Sequence, residues 1–203
     1  MRPEEIEKRS FEIIESELPR PLDPKLAPIV KRVIHTTADF DYADSMVFSK
    51  DAVDTSREAI RGGAVIVTDT NMAKAGINAA RLAAFGGEAL CYMADADVAE
   101  AAKKNGTTRA LAAVDKAARL GKASIFAIGN APTALMRICE LYESGALNPA
   151  LVIGVPVGFV NVVESKEMLL RLDIPHIVAR GRKGGSNVAA AICNALIYGI
   201  EAP

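Results

Sequence analysis

The 203 residues suit one ordinary α/β domain, predicted here over residues 1–203, and half of them are hydrophobic while only 5% are aromatic. A net charge of -1 excludes a general attraction to nucleic acid or to an anionic membrane. No apolar run approaches about 20 residues and the charged start, MRPEEIEKRSFEII, lacks the apolar stretch of a signal peptide, so we expect a cytoplasmic protein without a membrane segment.

Two amphipathic segments open the chain, residues 3–18 and 25–38, and they predict helices separated by the breaker sequence PRPLDP. Both precede the first predicted strand. They therefore either cover the sheet of their own subunit or contact a partner.

Five short runs rich in β-branched residues then alternate with four stretches of helical spacing. The predicted strands are 63–69, 88–93, 122–128, 150–156 and 175–180, and the predicted helices are 107–120, 131–145, 161–171 and 184–199. Most of the strand runs are apolar throughout, which is typical of parallel strands covered on both faces. The alternation predicts a doubly wound, three-layer αβα sandwich around a mostly parallel five-stranded sheet.

In such a sheet, ligands bind at the carboxyl ends of the strands, where helix N-termini leave backbone N–H groups unpaired. Asp69 and Asn71 follow the first predicted strand and are good turn and capping residues. The third strand runs into IGNAPTAL, where Gly129 permits an unusual backbone angle and Pro132 suits a first helical turn. These strand ends are the first places to expect a ligand.

The strongest electrostatic signal lies after the last predicted strand. Arg180, Arg182 and Lys183 precede Gly184, Gly185 and Ser186, which open a helix of small residues. Glycines let the backbone approach a ligand, Ser186 can cap the helix, and the helix end adds partial positive charge, so the segment predicts an anion site. A solvated basic loop is the alternative. The pattern matches neither a phosphate-binding loop nor a dinucleotide fingerprint.

The chain has two histidines. His176 lies within an apolar strand and is expected to be a packed core residue. His35 lies at the end of an amphipathic segment beside Arg32, Thr36 and Asp39, and imidazole can give and take a proton near neutral pH. A histidine near a helix C-terminus is also favoured electrostatically, so the local pattern leaves a structural role open.

Metal and redox chemistry have no support in the sequence. Cys91, Cys139 and Cys193 are far apart and each lies in an apolar run, which indicates buried free thiols rather than disulfides or a metal cluster. The chain has no G-x-S-x-G, H-E-x-x-H or C-x-x-C. We therefore expect neither a metal nor a cofactor.

Five motifs are more specific than a generic α/β pattern. They are RSFEII (9–14), RVIHTTADFDYA (32–43), AIGNAPTAL (127–135), GVPVGFVNVVESKE (154–167) and RGRKGGS (180–186). Together they resemble the precorrin-8X methylmutase family, also called cobalt-precorrin-8 methylmutase or precorrin isomerase, and the resemblance runs from about residue 3 to 199.

The resemblance implies a cytosolic, homodimeric isomerase of cobalamin biosynthesis. It implies that the enzyme moves a methyl group from C11 to C12 of precorrin-8 or cobalt-precorrin-8, giving hydrogenobyrinate or cobyrinate. It also implies that His35 donates and accepts the proton, and that Ser10 and Arg32 contact the tetrapyrrole. Whether the substrate contains cobalt stays open.

A precorrin is a broad apolar ring edged by carboxylates, so its site must combine an apolar slot with spaced cations and N–H donors. The strand ends are expected to supply further contacts through Gly129, Asn130, Ala131, Thr133, Arg182, Gly184, Gly185 and Ser186. Two alternatives remain: a tetrapyrrole carrier without catalysis, and a nucleotide-binding α/β module suggested by the glycine-rich strand ends alone.

Overall fold

A six-stranded sheet with helices on both faces organises residues 2–201, the part of the chain that this computed structural model describes. The strands are β1 Met46–Phe48, β2 Val65–Thr68, β3 Glu88–Leu90, β4 Ser124–Ile128, β5 Leu151–Gly154 and β6 His176–Ala179. The helices are α1 Pro3–Glu17, α2 Ala27–Thr37, α3 Tyr42–Ser45, α4 Ala52–Arg61, α5 Asn71–Gly76, α6 Ala79–Ala84, α7 Ala96–Asn105, α8 Arg109–Ala117, α9 Pro132–Glu143, α10 Val162–Leu170 and α11 Ser186–Tyr198. Both ends of the predicted domain, residues 1 and 203, lie outside the described residues.

The strand order is β1-β6-β5-β4-β2-β3, and every neighbouring pair is parallel except β1 with β6. The doubly wound sandwich and the five predicted strands, now β2 to β6, are confirmed. The predicted count of five is wrong by one, because β1 was missed. That strand is three half-buried residues whose antiparallel partner in β6 lies some 130 positions later, so its local sequence carries no strand pattern.

Alternate residues of the strands face two separate cores. Ile66, Ile125 and Ile153 point to the side covered by α2 and α11, whereas Val65 and Phe126 point to the side covered by α8, α9 and α10. All residues of β2, β4, β5 and β6 are buried, which explains why these strands show no polar alternation.

The six predicted helices are confirmed as α1, α2, α8, α9, α10 and α11, and each end lies at the predicted position or up to three residues inside it. The longest of the missed helices are α4 and α7. In α4 the buried residues Ala52, Ser56 and Ile60 recur every four positions, a signal that could have identified it. The apolar positions of α7 are mostly alanine, which makes its buried face hard to recognise.

The two N-terminal helices cover their own subunit. Helix α11 packs on the sheet and carries nine buried residues, and α2 packs along α11 through Ile29, Val33 and Ile34. Helix α1 packs in turn on α2. This arrangement leaves His35, next to buried Ile34, on the exposed side of α2. None of the helices within residues 2–201 is long and apolar enough to cross a bilayer.

Two of the three thiols are buried as predicted. Cys139 and Cys193 are fully buried, and burial raises the pKa of each to about 12, whereas Cys91 is only half-buried. The two buried thiols therefore serve as small apolar core residues.

Candidate active site

Asp69 lies at the point where the strand order reverses, between the ends of β2 and β4, which is where open α/β sheets commonly bind a ligand. The side chain is only 4% exposed. Its carboxylate accepts the backbone N–H groups of Gly129 at 2.9 Å, Asn130 at 2.8 Å and Ala131 at 2.6 Å. Burial raises the pKa of Asp69 although the three N–H groups act in the opposite direction.

The N–H groups at the start of α9 are thus bonded within the protein. The amides of Gly129, Asn130 and Ala131 are therefore not unpaired as expected, because a carboxylate of the chain itself accepts from them, while the predicted contact of these residues with a substrate stays a prediction. Asn130 keeps an exposed side chain, and the Thr133 hydroxyl lies 3.0 Å from that of Thr108. Asp69 was expected only as a local turn or cap. It instead caps a helix about 60 residues away.

Replacing Asp69 by alanine is expected to lower the free energy of unfolding by about 3 kcal/mol or more, because three N–H groups lose a charged acceptor. Asp69→Asn should cost less, since one amide oxygen can still accept. Chemical denaturation measures both, with Asp173→Ala as the control because that side chain is exposed. Equal stability of the Asp69 and Asp173 variants would contradict this role.

The glycine-rich loop, residues 180–186, packs directly on the ends of β4 and β5. Gly185 donates its N–H to the Val155 carbonyl at 2.9 Å, and a Cβ on Gly184 would lie 2.1 Å from that same oxygen. A Cβ on Gly129 would lie 2.7 Å from the Gly185 carbonyl oxygen. The structure therefore brings Gly129, Gly184 and Gly185 together, and only glycine fits at these close approaches.

Two capping predictions are wrong. Ser186 is the first residue of α11 and does not cap it; its hydroxyl lies 2.7 Å from that of Thr70, within hydrogen-bond distance. Thr70 rather than Asn71 caps α5, because its Oγ1 accepts the N–H of Ala73. The Thr70–Ser186 pair joins the end of β2 to the start of α11.

Lys166 supports the glycine-rich loop from beneath. It is fully buried in α10, and its Nζ donates to the carbonyls of Gly181 and Lys183, both at 2.8 Å. No carboxylate within the described residues lies at ion-pair distance, and burial lowers the pKa of Lys166 to about 8. In the sequence, Lys166 stands out only as part of the motif GVPVGFVNVVESKE (154–167). A lysine among the apolar residues of a predicted helix is the signal that could have identified it.

The three cations of the loop differ in their partners. Arg180 pairs with Glu167 at 2.9 Å, and Lys183 pairs with Asp39 and Asp41 at 2.6 Å, which raises the pKa of Lys183. Arg182 has no carboxylate partner among the side chains that the structure describes, and it lies 5.5 Å from the centroid of the exposed Phe159 ring. Of the three, Arg182 is best placed to meet a ligand carboxylate.

The second group of predicted residues lies on α1 and α2. His35 is exposed, and its ring centroid lies 5.3 Å from that of Phe11. Arg32, one turn earlier, pairs with Glu7 at 2.9 Å and stacks over Phe11. The Ser10 hydroxyl is half-buried and donates to a backbone carbonyl of its own helix.

The other histidine lies away from this group. His176 is buried, and its Nδ1 lies 2.8 Å from the Ile174 carbonyl, as expected for a core residue.

A groove of about 250 Å³ lies between α2, α5 and α11. Its lining includes Arg32 and Thr36 of α2, Gly76 of α5, and Asn187 and Asn194 of α11. Asn187 directly follows Ser186, and the ion pair of Lys183 with Asp39 ties the basic loop to the end of α2. The Arg32 guanidinium and the side-chain amides of Asn187 and Asn194 thus lie around one groove, and the Phe11 ring contacts both Arg32 and His35 beside it. Such a surface suits a large apolar ligand with several carboxylates.

Comparison with known proteins gives one consistent result. The family model of precorrin-8X methylmutase matches residues 5–199. The chain is 50% identical to the cobalt-precorrin-8 methylmutase of Salmonella typhimurium, over 97% of this chain and 95% of that one, and 47% identical to that of Priestia megaterium, over 97% and 88%. The solved structure of the precorrin-8X methylmutase from Thermus thermophilus superposes with a TM-score of 0.87 at 42% identity, covering 95% of this chain and 96% of that one. The chain belongs to the precorrin-8X methylmutase family, the isomerases of cobalamin biosynthesis that move a methyl group from C11 to C12 of the macrocycle.

Proposed function

We propose that this chain performs the C11-to-C12 methyl migration with His35 as the residue that donates and accepts the proton. The C11–methyl bond breaks as the C12–methyl bond forms, and the proton that the imidazolium lends to the macrocycle returns to it. The product is therefore an isomer, and no oxidant or reductant is consumed. The single observation that supports this role is the exposed imidazole of His35 beside Arg32 and the Phe11 ring.

We further propose that the macrocycle lies across the surface between α2 and the glycine-rich loop. Arg32 and Arg182 would bind its carboxylates, and the hydroxyl groups of Ser10 and Ser186 would contact it. The amides of Gly129 to Ala131 bond Asp69, so Asn130 and Thr133 would contribute through their side chains. Gly184 and Gly185 would let the ring approach the backbone. Catalysis would then depend on positioning and on electrostatic control of the conjugated ring.

The cobalt complex is the substrate that we propose, since the relatives from Salmonella typhimurium and Priestia megaterium are named cobalt-precorrin-8 methylmutases. Incubation of the purified protein with cobalt-precorrin-8, followed by its absorption spectrum, tests the reaction. We expect conversion to cobyrinate, and slower conversion of metal-free precorrin-8. A ligand that is bound and fully recovered unchanged would instead identify a carrier.

We also propose a cytoplasmic homodimer. Phe159 and Val160 follow β5, at the carboxyl edge of the sheet, and are 81% and 78% exposed, which is unusual for large apolar side chains in an isolated subunit. Sedimentation velocity at micromolar concentration should give twice the mass of one chain. A single species with the mass of one chain at that concentration would contradict the dimer.

A further inference from the structure

Arg57 of α4 is a half-buried cation that has no partner among the side chains the structure describes. Its Nε is inaccessible to solvent and has no hydrogen-bond acceptor within the described residues, and no carboxylate among them lies at ion-pair distance. The guanidinium lies directly on the backbone of Gly199 at the end of α11, where a Cβ would be 2.0 Å from Nη2. Leaving a buried charged donor unpaired is costly, which indicates that an acceptor other than the described residues completes the site.

The guanidinium lines a cavity of about 400 Å³ between α1, α2, α4 and α11. Phe11 and Tyr198 form apolar walls, and Lys31 and Arg32 bring two further cations. Arg32 stacks between the two rings, with its Cζ 5.3 Å from the Phe11 centroid and 4.9 Å from the Tyr198 centroid. The cavity thus combines apolar surface with positive charge, as a carboxylate on an apolar stem requires.

The described carboxylates do not balance all the positive charges of the cavity. Lys31 pairs with Glu15 and Arg32 pairs with Glu7, so these two cations have carboxylate partners. Arg57 therefore supplies the uncompensated positive charge. One carboxylate would neutralise it.

The cavity adjoins the proposed catalytic residue. Phe11, which forms one wall, lies 5.3 Å from the His35 ring, and Arg32 lines both this cavity and the groove that reaches Asn187. A macrocycle held near His35 can therefore extend a peripheral arm past Arg32 towards Arg57. His35 does not line this cavity, so a ring held beside His35 would reach it through a peripheral arm.

We propose that the Arg57 cavity is a carboxylate subsite that receives one acetate or propionate arm of the substrate. The assignment rests on the proposed position of the macrocycle beside His35. The apolar stem of the arm would pack along the Phe11 and Tyr198 walls beside the Arg32 guanidinium, and its carboxylate would accept from Arg57.

The test compares Arg57→Gln with Arg57→Lys, and with Arg61→Gln as the matched control, because Arg61 is exposed one turn further along α4. Titration with cobyrinate measures affinity, and steady-state kinetics measure KM and kcat. We expect Arg57→Gln to weaken binding and raise KM by about 10- to 100-fold, the range for a hydrogen bond to a charged group, with a much smaller change in kcat. Arg57→Lys should recover part of the affinity, and Arg61→Gln should behave as the unmodified protein.

Thermal unfolding separates a binding role from a structural one. Removing an unpaired guanidinium should leave the melting temperature unchanged or higher, whereas a structural role predicts a clear decrease. Competition with inorganic phosphate separates an arm of the substrate from a free anion. The assignment would be overturned if micromolar phosphate displaced cobyrinate from the unmodified protein but not from Arg57→Gln.

The two proposals fail in different ways. If the unmodified protein turns over normally and Arg57→Gln has the KM of Arg61→Gln, the subsite is wrong and the proposed function stands. If the unmodified protein neither binds nor converts the corrinoid, the proposed function fails, and the subsite with it.

Discussion

Replacing His35 by alanine is expected to abolish methyl migration while corrinoid binding persists. A positioned proton donor and acceptor typically contributes about 10²- to 10⁴-fold to the rate, and the chain offers no second histidine on this surface. The exposed side chain of His35 contacts the Phe11 ring, so its removal should change the free energy of unfolding by about 0.5 kcal/mol or less. Single-turnover absorption measurements with cobalt-precorrin-8 give the rate, and titration with cobyrinate gives the affinity.

The buried histidine provides the control. His176→Ala removes a buried ring that bonds the Ile174 carbonyl, so it should lower stability while the folded fraction keeps its kcat. A folded His35→Ala protein with near-normal turnover would remove His35 from the mechanism.

The unmodified protein is expected to become more stable as the pH rises from about 8 to 10.5, and Lys166→Met is expected to lose this gain in stability. Burial lowers the pKa of Lys166 to about 8, whereas the unfolded chain keeps the proton up to the ordinary value of 10.5. In this window the unfolded state binds more protons, so the free energy of unfolding rises with pH, by about 3 kcal/mol in total. Below pH 8 the amine is protonated in both states and this pH dependence disappears.

Urea denaturation at a series of pH values measures the effect as the difference between the unmodified protein and Lys166→Met. Other groups that titrate in the window cancel in that difference. Lys104→Met, at an exposed position of α7, should retain the gain. Parallel stability curves for the unmodified protein and Lys166→Met would show that the amine titrates as it does in water.

At pH 7 the Lys166→Met variant should also bind cobyrinate more weakly, because the carbonyls of Gly181 and Lys183 lose the donor that orients the loop.

The candidate site was only partly predictable. The glycine-rich loop and its nearness to Gly129 follow from the rule that strand ends meet at one edge of a parallel sheet. The role of His35 does not follow from local pattern, since a helix-end histidine is equally well explained by electrostatics; the family resemblance supplied it. Nothing in the sequence indicates that Arg57 belongs to a binding site, because an arginine in an amphipathic helix is ordinarily a solvated residue.

The sequence by itself determined the parallel sheet, its covering helices and the burial of His176, because runs of apolar residues and helical spacing are local properties of the chain. Only the tertiary structure decided the partners of the polar groups. Asp69 meets amides about 60 residues away, Lys166 meets a loop from the next connection, and β1 pairs with a strand some 130 residues later. Each of these pairings depends on two distant segments reaching the same place, where a buried polar group must find a partner, and no local pattern encodes which partner that is.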